Sequence, residues 1–181
     1  IMNAQCCFVK GKWAIGTAAG LGSMTVGSAI GNSIYTGSSL GESFSAMGSF
    51  STWGGNFATM TAGNQVGRAV YLAGSYHGWN PKTTLFVSSM ASSVATGGIK
   101  PQSFGNGITS RTTGMALGAI DGAVSGGILA AAADKNGQVE PWVATAANMA
   151  GGFASGTIAS GFTPNVSSPV VSQGNVMAVV P

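Results

Sequence analysis

Gly114, Gly118, Gly122 and Gly126 stand four residues apart in an otherwise apolar stretch. Residues at i and i+4 share one face of an α-helix. A helix over residues 112–133 would therefore carry a smooth groove about three turns long. After it come Asp134, Lys135, Asn136 and Gly137, a polar turn, and Pro141, which suits the first position of a new helix. That helix, over residues 141–161, repeats the spacing with Ala144, Asn148, Gly152, Gly156 and Ser160. Two apolar runs joined by a short polar turn are the sequence form of an antiparallel helical hairpin. Earlier pairs at the same spacing are Gly16 with Gly20, Gly27 with Gly31, and Gly63 with Gly67.

Missing side chains let helix backbones approach closely and gain dispersion contacts and weak Cα–H···O bonds. Glycine also costs about 1 kcal/mol per helical position relative to alanine. Such helices therefore need a neighbour or a lipid environment in order to form. The spacing fits paired membrane helices and tight packing in a water-soluble bundle alike.

Charge helps to separate the two. Charged residues are 6% of the 181, against about 25% in an ordinary soluble domain. Glycine supplies 30 residues, 45% of the chain is hydrophobic, and mean hydropathy is +0.33. The glycine has no G-X-Y period and the prolines number 6, which excludes collagen. The apolar content also sets the chain apart from disordered sequences. A bilayer, a sheath of other protein or a repeated assembly tolerates this composition better than free solution does. Residues 13–41, 43–67 and 141–181 contain no charge at all. Runs of about 20 residues can span a hydrocarbon core as helix. These runs are rich in Ser, Thr, Asn and Gly, however, and none is continuously apolar over 18 residues. The seven Lys and Arg are scattered, with Lys10 and Lys12 as the nearest thing to a cluster, too few for the basic face that nucleic acid requires.

The expected fold is mainly α: a glycine-zipper helical bundle over residues 1–162, ending in the helical hairpin, then an extended tail over 163–181 with three prolines and a Val-rich end. Further helices are expected over 13–35, 52–75 and 83–96, with a short helix or loop over 40–51. The aromatic turn Tyr76-His77-Gly78-Trp79 and Asn80-Pro81 separate the second and third of these, and Gly97-Gly98 is the expected stop of the last. Lys100-Pro101-Gln102 reads as a linker.

Asp121 sits among the four glycines. It could line a pore, pair with Arg111 or Lys135, titrate during insertion, or face solvent from the polar side of a bundle helix. An acid inside a membrane segment is expensive and often functional.

Catalytic arrangements are sparse. The single histidine, His77, permits a thiol mechanism with Cys6 or Cys7 as nucleophile, His77 as base and Asn80 as orienting group. No helix-opening motif follows the cysteines, and His77 lies in a turn whose aromatics suit packing. Adjacent Cys6 and Cys7 are poorly placed to bridge each other, and they lack metal-ligand spacing. The four acids Glu42, Asp121, Asp134 and Glu140 are widely separated, which disfavours paired-carboxylate hydrolysis. No metal, phosphate-loop or cofactor motif is present in the sequence.

The texture of residues 114–127 ("GAIDGAVSGG") and 144–161 ("MAGGFASG") resembles the glycine/alanine-rich toxin regions of polymorphic toxins, the Rhs-type and contact-dependent effectors of bacterial secretion systems. It covers about a third of the chain and transfers no catalytic residue. The resemblance implies a toxin piece released from a shell-like carrier, secreted or delivered to a target-cell membrane, with a carrier or immunity protein as partner. A start at Ile1 with no visible signal peptide suits such a piece. The expected function is membrane insertion, by pore formation or permeabilisation, with a lipid bilayer as partner and homo-oligomers possible. The packing and membrane residues would be Gly114, Gly118, Gly122, Gly126, Gly152, Gly156 and Asp121. A structural assembly subunit and a Cys-His enzyme are the alternatives.

Overall fold

The computed structural model describes residues 50–104 and 108–162, with isolated positions at 22, 26, 30, 33, 34, 37 and 39–41. The described residues are mainly α. Four long helices follow one another: α1 (Phe50–Tyr76), α2 (Pro81–Ile99), α3 (Arg111–Ala132) and α4 (Pro141–Phe162), with a short 3-10 helix at Pro101–Phe104 between α2 and α3. The expected tail, Cys6 and Cys7 lie outside the described residues. So does most of the expected 13–35 helix, although 22, 26, 30, 33 and 34 are helical.

Local chemistry sets the corners. After α1, Gly78 takes a left-handed φ of 70°, and the Trp79 N–H donates to the Gly74 carbonyl at 2.9 Å. The Asn80 side chain then accepts from the Lys82 N–H at 2.9 Å, capping α2, whose first residue is Pro81. Between α3 and α4, Asp134 Oδ1 accepts from the N–H groups of Asn136 and Gln138, each at 2.8 Å, and Gly137 has φ 76°.

One expected boundary moves. α2 does not stop at Gly97-Gly98 but continues to Ile99. Both glycines face α3: Gly97 lies against the Gly114 backbone and Gly98 beside the Met115 side chain. Tertiary contact overrides the local tendency of glycine to end a helix. The stop comes from Pro101, which has no N–H to extend the ladder and opens the 3-10 turn.

The helices pack in chain order and antiparallel. Gly63 of α1 meets Thr96 of α2, and Gly74 meets Thr84. Gly97 meets Gly114, while Gly126 meets Ser89 and Phe86. Asp121 of α3 meets Gly151 of α4. The larger apolar side chains gather at the two ends. Leu85, Leu129, Ala133, Val139, Val143 and Ala147 form one cluster, and Phe104, Ile108, Leu117 and Ala159 form the other. The middle is filled by small and polar residues.

Candidate functional site

The four-glycine groove of α3 rests on α2. A Cβ at Gly118 would strike the Ser93 carbonyl group, and one at Gly122 would lie 2.6 Å from the Met90 Cα. At Gly126 it would lie 2.9 Å from the Ser89 Cβ. The obstacles at Gly118 and Gly122 are backbone atoms, so no rotamer change relieves them. Sequence spacing finds the groove but does not say which neighbour fills it.

On α2 the complementary surface is made of hydroxyls. Thr84, Ser88, Ser92 and Thr96 recur every four residues and are buried, with Gly63, Gly67 and Gly74 of α1 against them. Ser89, Ser93 and Gly97 form a second buried file beneath the α3 groove. Paired serines at 88–89 and 92–93 were the sequence signal for this double seam, and a search restricted to glycine spacing passes over them.

Polarity along α2 and α3 is inverted relative to a water-soluble helix. Over residues 85–99 of α2 the buried set is Leu85, four serines, Thr96 and Gly97. Every other residue there is apolar, from Phe86 and Val87 through Met90 and Val94 to Ile99. In α3 beyond its first turn, the polar residues Asp121 and Ser125 are both buried. All the unburied residues from 115 to 132 are apolar, among them Met115, Ile120, Ala123 and Val124. A Cβ at Gly127 would meet nothing within 4 Å, so this face is also open. α4 follows the same trend. Asn148 and Ser155 are buried, whereas Trp142, Phe153 and Ile158 are exposed. Its outward hydroxyls turn back to their own helix, Thr145 Oγ1 donating to the Pro141 carbonyl at 3.2 Å and Thr157 Oγ1 to that of Phe153 at 2.8 Å.

The inner polar groups bond to one another. Ser93 Oγ donates to Asp121 Oδ2 at 2.6 Å, a short hydrogen bond. Ser125 Oγ donates to the Asp121 carbonyl at 2.9 Å and lies 3.2 Å from Ser89 Oγ. Ser92 Oγ donates to Asn64 Oδ1 of α1 at 3.1 Å. The bonds therefore run from α1 through α2 to α3. Asp121 is fully buried, which replaces the expectation that it could face solvent. Arg111 and Lys135 are exposed, at the two ends of α3. The Gly151 backbone packs over Asp121: a Cβ at Gly151 would lie 2.7 Å from Asp121 Oδ1. Asn148 is 3% exposed, and its Oδ1 accepts no hydrogen bond among the described residues.

The remaining sequence candidates separate. Gly152 and Gly156 are buried on α4. His77 and Asn80 are exposed; the His77 ring stands edge-on to Tyr76 with centroids 5.3 Å apart, and the Asn80 side chain caps α2. Among the described residues no three of His, Cys, Asp or Glu gather as a metal site. α3 is the one described helix long and apolar enough to cross a membrane, with a mean hydropathy of 1.5 over its most apolar 18 residues. Comparison with known protein families, curated proteins and solved structures returns no match for this chain.

Proposed function

We propose that this is a membrane-inserting, toxin-like domain that permeabilises a target bilayer, with the outer faces of α2, α3 and α4 in contact with lipid. The observation that carries the reading is the inverted polarity of α2 and α3. In water, an outward apolar face forgoes burial worth about 25 cal/mol per Å², while the hydroxyls and carboxylate that water would solvate lie inside. In a bilayer the same arrangement is favourable, because lipid solvates the apolar side chains and the inner hydroxyls of Ser88, Ser93, Thr96 and Ser125 already have internal partners. Small residues at the seams are how membrane helices associate. The serines that lower the hydropathy of α2 as a whole are the ones lying inside. Permeabilisation as the outcome rests on the resemblance of the 114–127 and 144–161 segments to polymorphic toxin regions.

Dye release from liposomes of phosphatidylcholine and phosphatidylglycerol tests the proposal. The wild-type chain should release dye at micromolar concentration, and the double variant Gly118→Leu, Gly122→Leu should not. Tight vesicles with wild-type protein, or unchanged release by the variant, count against it. A subunit enclosed in a larger assembly is a second reading, favoured by the open small-residue position at Gly127. It requires discrete homo-oligomers in detergent-free buffer, and a lipid-free monomer by light scattering removes it.

A further inference from the structure

We infer that α2, α3 and α4 lie across the bilayer rather than along its surface, with acyl chains against their outer faces and Trp79 and Trp142 at one headgroup interface. The inference rests on the membrane reading above and adds orientation and depth to it. Three independent features point the same way.

The first is where charge sits. Lys82 begins α2 beside the α3–α4 turn, because Gly137 of that turn packs on Pro81. That turn carries Asp134, Lys135 and Glu140. At the opposite end stand Lys100 and Arg111. Between the two ends these three helices hold one ionisable residue, Asp121, and it is fully buried. A helix that lies in the plane of a membrane keeps a polar face along its whole length. α3 has none, since its inner sides are covered by α2 and α4 and its outer side is apolar.

The second is length. α3, the one described helix both long and apolar enough to cross, has 22 residues, and α2 and α4 match it in length with 19 and 22, which gives about 28–33 Å of helix against a hydrocarbon core of about 30 Å. The third is aromatic placement. Tyr76, Trp79 and Trp142 are 87%, 45% and 71% exposed, and all three belong to the end that carries Lys82 and Asp134. Trp and Tyr concentrate where apolar chain meets headgroup. Arg68, half-buried, belongs to α1, which is not among the helices assigned to lipid.

Depth-dependent quenching by brominated lipids tests the orientation. The full chain, with Trp13→Phe and Trp53→Phe to simplify the signal, is bound to phosphatidylcholine–phosphatidylglycerol vesicles. Their acyl chains are brominated either near the headgroup or near the methyl end. Single-tryptophan versions report Trp79, Trp142, Ile120→Trp at the middle of α3, and Phe153→Trp at the middle of α4. The last exchanges one exposed aromatic for another and guards against a misfolded Ile120→Trp. Trp79 and Trp142 should be quenched more by the shallow bromines, and the two mid-helix probes more by the deep ones, by about twofold in each direction given the depth of the core. Vesicle-bound protein with all four probes at one shallow depth would overturn the transverse orientation and leave membrane binding standing. Protein that stays unquenched and floats free of vesicles would remove the membrane reading together with this inference.

Discussion

α1 and α3 both meet α2 through small residues four apart, and the sides they turn away from α2 differ. On α3 the unburied residues beyond the first turn are apolar and the polar ones are inside. α1 keeps Gln65 exposed and Arg68 half-buried among Ala58, Ala62 and Ala69, beside the exposed Val66 and Leu72, while its Asn64 turns to α2 and accepts from Ser92. The seam contacts differ in degree: a Cβ at Gly63 or Gly67 would meet both side chains and the Ser92 or Ser88 carbonyl, and at Gly74 the side chains of Trp79 and Thr84, whereas at Gly118 the obstacles are the backbone of Ser93 and Val94. Glycine spacing thus reports how closely two helices approach. The environment outside them is reported by the residues that point away from the seam.

The largest expected effect breaks the tight seam. Gly118→Leu should prevent α2–α3 docking, a loss of at least about 3 kcal/mol because a well-packed contact made by backbone cannot yield. Gly127→Leu on the open face of the same helix should shift stability by less than about 1 kcal/mol, as a surface substitution does. Denaturant titration of both variants in matched detergent compares them, and equal losses would mean that the groove is not the contact that matters.

Next is the outer face. Ala123→Lys should release the protein from vesicles in a flotation gradient, since a lysine at the centre of a membrane helix costs about 2.5–3.5 kcal/mol on insertion scales. Ala62→Lys on α1, close to Gln65 and Arg68, should weaken flotation less. The reverse ranking would put α1 and not α3 against lipid.

The inner carboxylate comes third. Asp121→Ala should destabilise by about 2 kcal/mol, and Ser93→Ala by about 1 kcal/mol, from the lost buried hydrogen bond. A double-mutant cycle should give a coupling of about 1 kcal/mol. Purely additive losses would show that the 2.6 Å contact contributes nothing of its own. The smallest effect belongs to the α1–α2 corner. Asn80→Ala should cost about 1 kcal/mol through loss of the cap, with the release of dye from vesicles unchanged. A loss of dye release without a loss of stability would restore Asn80 as a functional residue.

Much of this architecture was legible in residue order. Pro81 and Pro141 start helices where their missing N–H does no harm, and Asp134 to Gly137 form the turn that their side chains favour. The termini of α1, α3 and α4 fall within two residues of the expected ones. Three things were not legible, for physical reasons. Gly97-Gly98 looks like a stop because local propensity favours one, but the contact with α3 holds the helix to Ile99. The serines of α2 look like a polar surface, because composition alone cannot tell a hydroxyl facing water from one bonded to a neighbouring helix. Asp121 shows the same ambiguity in one residue: its partner Ser93 lies 28 positions away, on the far side of the 3-10 turn. The inverted polarity of α2 and α3 follows from which face is covered, and spacing cannot supply that.

The most direct test of the central claim asks which residues touch acyl chains. A photoactivatable carbene reagent confined to the bilayer interior would label wild-type protein bound to phosphatidylcholine–phosphatidylglycerol vesicles, with the modified residues mapped by mass spectrometry. The expected result is label on the outward residues Val87, Val94, Ile120 and Phe153, and none on Ser89, Ser93 or Ser125. Vesicle-bound protein that carries no label on α2 and α3, or that carries it on the inner serines, would contradict the assignment of these outer faces to lipid.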